Sequence, residues 1–166
     1  MLDKLRESSL TDLYQSAVDA FPRTKMRQYA THPIVVTNLR WVPFVGMRTL
    51  FVKGLAQNEG KEYNTIVLLK EINYSGDEIT IIASDGKEYS FDKPTLESSD
   101  VLLRCNCPDF HWRFNYYNHQ DKSLYGSKRG KYESKGGPPA NPMELPGMCK
   151  HLMKTVKVLQ ESGIFA

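Results

Sequence analysis

The stretch that decides the fold is split between Cys105-Asn106-Cys107-Pro108 and, near the end of the chain, Pro146-Gly147-Met148-Cys149-Lys150-His151. These segments contain all three cysteines of the 166-residue chain and one of its four histidines, as C-x-C, 41 intervening residues and C-x-H. Three thiolates and one imidazole are the full ligand set of a closed tetrahedral Zn²⁺ site, which performs no chemistry of its own. The sequence therefore predicts one structural zinc ion bound by Cys105, Cys107, Cys149 and His151.

Three other interpretations of these cysteines and the histidine fit the sequence less well than a metal site. An odd number of cysteines argues against a disulfide framework and suits a Cys₃His site. Three buried reduced thiols with a surface histidine would make both spaced pairs a coincidence. A catalytic Cys149–His151 couple is disfavoured, because side chains two apart on a helix diverge and no nearby Asn or Asp orients the imidazole. Metal binding requires Cys149 just before a helix and His151 in its first turn, where helix N–H groups face the thiolates.

The spacing C-x-C…C-x-H resembles the SWIM-type zinc finger. The flanks match as well, with a predicted strand over residues 101–104 before the first pair and an amphipathic helix after the second. The resemblance implies a β-hairpin and a helix closed around zinc, with Cys105, Cys107, Cys149 and His151 as ligands. It also implies a role in binding nucleic acid or protein. The gap of 41 residues is longer than is usual for the family.

A longer set of segments extends the resemblance. It comprises Arg104-Cys-Asn-Cys-Pro-Asp-Phe, then Ser123-Leu-Tyr-Gly, then Asn141-Pro and Pro146-Gly-Met-Cys-Lys-His-Leu. This set, within residues 35–160, resembles SWIM-bearing proteins of tailed bacteriophages and implies a virion component.

Composition sets the broad class. A hydrophobic content of 40% is ordinary for a globular protein, and no apolar run approaches the ~20 residues of a membrane span. The first residues lack the apolar core of a signal peptide, so we expect synthesis in a reducing cytoplasm and no membrane partner.

The charge is unevenly distributed. Residues 1–110 hold 13 Lys and Arg against 15 Asp and Glu, whereas residues 111–154 hold 8 against 3. The basic excess therefore lies between and just beyond the two ligand pairs, and an acidic first two-thirds disfavours a dedicated DNA-binding protein.

The predicted fold class is α+β: a small antiparallel sheet or open barrel, an N-terminal helix and a C-terminal zinc lobe. Residues 1–33 hold a helix over 9–21 and a polar hinge, and this helix packs either on its own domain or on a neighbouring chain. Residues 34–100 form a β-rich block, with a β-branched strand over Ile34 to Thr37, a long apolar central strand over Tyr63 to Ile72 and a hairpin turn at Asp85-Gly86.

Residues 101–166 form the zinc lobe, which ends in a helix over 149–162. Gly163 follows this helix, and a short apolar tail, residues 164–166, docks on the body or on a partner. The apolar stripe of the helix consists of Leu152, Met153, Val156 and Leu159.

The zinc lobe carries a basic insert, residues 118–147, that is Gly- and Pro-rich and has no periodicity. Such a loop is either a contact segment or merely solvated. An aromatic cluster over residues 110–117 precedes it and either stacks bases or supplies the core of the lobe, which we favour. Tentative contacts with a partner or nucleic acid are Trp112, Tyr125, Lys128, Arg129, Lys131 and Lys135.

The chain has no phosphate-cradling glycine loop and no nucleophile elbow, so we expect no enzymatic activity and no small-molecule substrate. The favoured function is a zinc-stabilised structural protein that contacts other subunits of a larger assembly, concretely a tailed-phage virion. The alternative is a nucleic-acid-binding zinc protein.

Overall fold

The structure is a computed structural model, and it describes residues 8–21, 33–97, 99–128, 130 and 140–166. Except for Pro33, the predicted hinge from Arg23 to Pro33 lies outside these residues. In the described part the elements are α1 (Leu10–Ala20), β1 (Val35–Phe44), β2 (Thr49–Asn58), β3 (Lys61–Leu69), β4 (Ile79–Ile82), β5 (Glu88–Phe91), β6 (Val101–Cys105), α2 (Pro108–Arg113), α3 (Asn115–Asp121) and α4 (Lys150–Glu161). One turn of 3-10 helix, Val45–Met47, joins β1 to β2.

Helix α1 begins at a capping box. The Ser9 hydroxyl accepts a hydrogen bond from the Asp12 N–H, and the Asp12 carboxylate accepts one from the Ser9 N–H. Its apolar stripe, Leu10, Leu13, Ala17 and Ala20, is buried within this chain's own core. Of the two predicted environments, α1 therefore occupies the intramolecular one.

Four strands form the main antiparallel sheet, in the order β1-β2-β3-β6. The predicted central strand over Tyr63 to Ile72 is β3, which pairs with β2 on one side and β6 on the other. Strands β4 and β5 form a separate hairpin around Asp85-Gly86, as predicted, and Gly86 has the positive φ that this turn requires. The α+β class is confirmed, with sheets rather than a barrel.

Strand β1 is longer than the predicted Ile34 to Thr37. A register shift between Thr37 and Arg40 marks a bulge, where Asn38 has a φ of 52°. The bulge adds one residue to β1, so inward-facing and outward-facing positions exchange after it. The sequence therefore does not alternate with a period of two along the whole strand, although the strand continues.

The two faces of the main sheet differ. One face is buried and consists of Leu50, Val52, Gly54, Ala56, Thr65, Val67, Leu69, Val101, Leu103 and Cys105. Part of the opposite face we name the outer sheet face. This part consists of Arg40, Val42, Phe44, Phe51, Lys53, Ile66, Leu68, Leu102 and Arg104, all of them half-buried or exposed. Toward the β2–β3 turn the same side of the sheet continues into Leu55, Asn64, Gln57 and Glu62.

Helix α4 packs on the buried face. Its predicted stripe of Leu152, Met153, Val156 and Leu159 is buried, and Gly163 follows the helix with a φ of 83°. Thr155 also faces the sheet: its hydroxyl lies 3.0 Å from the His151 carbonyl and 2.7 Å from the Thr65 hydroxyl. The terminal apolar tail docks on the body of the protein, with Ile164 buried and the Ala166 N–H donating to the Pro94 carbonyl.

A single apolar cluster contains residues of α1, the main sheet, α2 and α4. The proposed boundary between residues 100 and 101 falls where β6 enters the sheet of the preceding block. The division into three parts stays a prediction, but the zinc lobe and the β-rich block share a sheet and a core.

Burial of α1 generates a stability prediction. We expect Leu13→Ala to lower the free energy of unfolding by about 2–5 kcal/mol, because the removed side chain leaves a cavity in a fully buried site. Gln15→Ala, on the exposed side of the same helix, is the matched control and should change it by less than ~0.5 kcal/mol. Chemical denaturation measures both, and equal effects would show that α1 does not belong to this core.

Candidate metal centre

The first ligand pair lies at the junction of β6 and α2. Cys105 is the last residue of β6, and Cys107 is the N-cap of α2, with Pro108 at the first helical position. Asn106 holds this corner against β3, since its side-chain carbonyl accepts from the Asn64 N–H at 2.8 Å and its own N–H donates to the Asn64 carbonyl at 3.3 Å. The Cys107 sulfur accepts from the Phe110 N–H at 3.3 Å, so a helix N-terminus faces it.

The second pair lies at the start of α4. Cys149 is the N-cap and His151 the second helical residue, as the C-x-H spacing predicts. The preceding turn is held by buried Asn118, whose amide donates to the Gly147 carbonyl at 2.9 Å and accepts from the Gly147 N–H at 2.8 Å. Gly147 is required there, because a Cβ would lie 2.7 Å from Phe114 and 2.9 Å from the Cβ of Ala17.

The two corners bring the four predicted ligands together. One sulfur each from Cys105, Cys107 and Cys149 and a ring nitrogen of His151 all lie within 4.8 Å of one another. All four residues are buried, with exposures of 3% or less. Sulfurs bound tetrahedrally to a metal at ~2.3 Å lie ~3.8 Å apart, so the cluster is compatible with one metal ion.

The histidine provides an independent test of fit. His151 is buried against the Tyr63 ring, with ring centroids 4.6 Å apart, yet neither of its ring nitrogens has a hydrogen-bond partner. An unsatisfied buried polar atom is costly, and in the part of the chain that the structure describes only one other buried side-chain atom shares this condition. If one of these nitrogens binds a metal ion, that nitrogen is no longer an unsatisfied buried polar atom. The interpretation of His151 as a surface histidine is wrong.

The thiols are electrostatically coupled. Hydrogen bonds from Cys105 and then Cys149 hold the pKa of Cys107 far below its ordinary value. The pKa of Cys105 is raised, chiefly by its hydrogen bond to Cys107, and that of Cys149 is raised chiefly by burial. Burial and hydrogen bonding within the group therefore favour ionisation of Cys107 and oppose ionisation of Cys105 and Cys149. Three thiolates at this separation require a cation, which binds as the remaining protons leave.

One acidic residue borders the cluster. Burial raises the pKa of Asp109, and the Arg113 guanidinium, 2.8 Å away, opposes that shift. Asp109 therefore forms an ion pair with Arg113 and does not belong to the group of four ligands.

Part of the aromatic cluster is core. Phe110 and Phe114 are fully buried, and Phe114 meets Phe21 edge-on at 5.7 Å, so for these rings the favoured interpretation is confirmed. Trp112 is 50% exposed. The two other histidines in the described residues, His111 and His119, lie outside the group of four.

The tentative contact residues are not gathered by the structure into one site. Trp112 is in α2, whereas Tyr125 is half-buried beside Phe51, at 5.5 Å between ring centroids, on the outer sheet face. Lys128 is exposed. Arg129, Lys131 and Lys135 lie outside the described residues.

The predicted start of the aperiodic insert, at residue 118, is wrong. Helix α3 continues to Asp121, and after it Ser123 and Leu124 are buried beside β6. The pattern was missed because the inward side chains of α3 are amides, Asn115 and Asn118, rather than apolar groups. Asn118 and the Thr65–Thr155 pair support the ligands from distant positions, and no local sequence signal distinguishes such residues from surface polar ones.

Models of known protein families, curated proteins and solved structures were compared with the chain, and none of the three comparisons found a match. Within the described ranges, no helix is long and apolar enough to cross a membrane.

The unpartnered histidine generates a prediction. We expect His151→Gln to lower metal affinity strongly and to lower the thermal midpoint of the metal-bound protein, because one ligand is lost from a buried site. His119→Gln, at an exposed position of α3, is the matched control and should bind metal as the wild type does. Elemental analysis after dialysis measures both variants. Full metal occupancy in His151→Gln would exclude the imidazole as a ligand.

Proposed function

We propose that the four-residue cluster binds one Zn²⁺ ion and that the ion is structural. The observation that carries this proposal is the buried Cys105, Cys107, Cys149 and His151 group, with both imidazole nitrogens unpartnered. Three soft thiolates and an imidazole suit Zn²⁺ better than a hard cation, and four protein ligands leave no position for water or substrate. The proposed function is therefore non-enzymatic.

The site shares part of the form that the resemblance to a SWIM-type finger implies. The implied β-hairpin of the lobe is replaced, in the described residues, by β6 paired with β3 of the preceding block. A strand leads into Cys105, the second pair opens a helix, and the chain between them forms α2, α3 and further segments. The ion joins the β6–α2 corner to the start of α4. The resemblance to this family and to tailed-phage proteins stays part of the proposal, and it rests on the motifs and on this local geometry.

Metal removal should destabilise the shared core. Zinc-finger peptides bind their metal with on the order of 10–16 kcal/mol, which counts toward folding. Without the ion, both His151 ring nitrogens stay unpaired in the buried interior between β6 and α4. We expect a chelator to expose the amides of β6 and α4 first, while the β4–β5 hairpin, outside the main sheet, changes little.

Hydrogen exchange followed by mass spectrometry, with and without chelator, measures this. X-ray absorption on the untreated protein should show sulfur at ~2.3 Å and nitrogen at ~2.0–2.1 Å from zinc. Unchanged exchange in α4 after complete zinc removal would contradict a structural role for the ion.

We further propose that the protein contacts other subunits of an assembly, concretely a tailed-phage virion after synthesis in the cytoplasm. Besides the resemblance, the support is an apolar turn at the end of the main sheet: Phe44, Val45 and Met47 are 46%, 49% and 76% exposed. Clustered exposed apolar side chains typically mark protein contacts. The basic insert adds a positively charged segment, which suits an acidic neighbour.

The insert is tested by a replacement that spares its structured ends. Arg104 donates to the carbonyls of Tyr125 and Ser127, and Asn141 bonds Arg113 and Leu145, so residues up to 127 and from 140 are retained. Replacing residues 128–139 with a Gly/Ser linker of equal length should leave zinc content and thermal midpoint unchanged and reduce incorporation into the assembly.

Co-purification with particles measures incorporation. A control linker that keeps Lys128, Arg129, Lys131 and Lys135 in their positions separates charge from the other residues of the insert. Normal incorporation of the neutral linker variant would remove the insert from the proposed function. Loss of nucleic-acid binding alone, steeply dependent on salt, would favour the alternative function.

A further inference from the structure

The outer sheet face carries adjacent cations. Arg40 on β1 and Lys53 on β2 are direct cross-strand partners, and Ile66 and Arg104 continue the same row across β3 and β6. Neither Arg40 nor Lys53 has an ion pair or a hydrogen bond with any described residue. Glu62 lies on the same side of the sheet but four residues from Ile66 along β3, and its carboxylate accepts from the Gln57 side-chain amide at 3.1 Å. Like charges directly opposite on a sheet destabilise it, so this pair costs the free protein stability.

The row beside these cations is apolar. Val42, Phe51, Leu68 and Leu102 are mutual cross-strand partners, and none of them packs against the core cluster. At the β1 end the row continues into Phe44, on the same face, and into the exposed turn containing Val45 and Met47. The outer sheet face therefore combines an apolar row with a flanking pair of uncompensated charges. That is the composition of a protein interface with an apolar centre and charged rim.

We propose that the outer sheet face binds an acidic protein segment, one whose apolar side chains cover the open β1 side of the row, at Val42 and Phe44, and whose carboxylates meet Arg40 and Lys53. The segment belongs to a neighbouring subunit, so the inference rests on the proposed assembly function and names the chemistry of its partner. Neutralising Arg40 and Lys53 removes the like-charge repulsion at the moment of binding.

Two other occupants fit less well. A second copy of this chain in a symmetric contact would offer Arg40 and Lys53 one carboxylate from the strands on this side of the sheet, Glu62, which already accepts a hydrogen bond from Gln57. A single-stranded nucleic acid needs open rings for base stacking, but the row is mainly aliphatic, and the Phe51 ring packs on Tyr125. Phe44 is the one ring of this face that is largely exposed, at 46%.

Arg104 contributes to the shape of the face rather than to its free charge. Its guanidinium donates to the carbonyls of Tyr125 at 3.0 Å and Ser127 at 2.8 Å, which holds this segment at the β6 side. The Tyr125 backbone lies beside β6 and its ring reaches Phe51 on β2, so this side chain covers the β6 side of the apolar row. The open end is the β1 side, where Arg40, Phe44 and Met47 are exposed.

The experiment selects binders from a displayed library of short random peptides on the zinc-loaded full chain. Arg40→Glu/Lys53→Glu serves for counter-selection. We expect enrichment of peptides that combine Asp or Glu with Leu, Ile or Phe. By fluorescence anisotropy, a selected peptide should bind the double variant about tenfold or more weakly than the wild type, and raised salt should weaken wild-type binding.

Three variants separate charge, apolar contact and folding. Lys61→Glu/Lys87→Glu makes the same change in charge at exposed positions off this face and should bind as the wild type does. Met47→Ser should weaken binding without changing its salt dependence. Arg40→Glu alone converts the like-charge pair into an opposite-charge pair, so it should bind more weakly while its thermal midpoint stays equal or rises.

Four results would overturn the inference: no enriched peptide, enrichment without acidic residues, equal binding by the double variant, or equal loss in the Lys61/Lys87 control. Oligo(dT) binding that the double variant abolishes would assign the face to nucleic acid, and self-association that it abolishes would assign it to a second copy. If Arg40→Glu/Lys53→Glu enters particles as the wild type does, the assembly function stands and this face is excluded from it.

Discussion

Three buried sulfurs and an imidazole nitrogen within 4.8 Å of one another set the constraint on which the rest of the structure depends. Burial and hydrogen bonds within the group raise the pKa values of Cys105 and Cys149 and lower that of Cys107. Both His151 ring nitrogens lack a hydrogen-bond partner. A cation lets all three thiols ionise and gives the imidazole a partner. The chain therefore has to deliver one ligand from a strand end, two from helix N-caps and one from a first helical turn to a single point.

The supports of that point are hydrogen bonds between distant segments. Asn118 holds the turn before Cys149 from α3, and Asn106 holds the turn before Cys107 against β3. In the Thr65–Thr155 pair, two hydroxyl protons serve three acceptors: the His151 carbonyl, the Gly54 carbonyl and one of the hydroxyls themselves. These contacts are buried, so losing either member leaves an unsatisfied group, which costs more than the bond itself contributes.

The sheet connects this centre to the outer surface. Its buried face takes α4 and the ligand Cys105, while its outer face holds an apolar row and the Arg40–Lys53 pair. Successive side chains of β2 point to opposite faces of the sheet, so Val52 lies in the core whereas Phe51 and Lys53 lie on the outer sheet face. The exposed turn from Phe44 to Met47 continues the outer row, so one strand pair serves both the core and a candidate contact surface.

The sequence by itself determined the features that depend on neighbouring residues. The spacing of Cys105, Cys107, Cys149 and His151 identified the metal cluster, because two short ligand pairs are local patterns. Ser9 before α1, Asp85-Gly86 in the hairpin and Gly163 after α4 were recognisable because caps and turns use specific backbone chemistry. The α+β class followed from the same local signals.

Only the tertiary structure decided which distant residues meet. The bulge at Asn38 hid the length of β1, and the amides of Asn115 and Asn118 hid α3, because burial of a polar side chain depends on partners far away in sequence. Arg40 lies opposite Lys53 only because the bulge shifts the pairing of β1 with β2 by one residue. The sharing of one core by α1, the sheet and α4 has the same cause: hydrophobic burial is non-directional, and the paired backbones settle which apolar faces come together.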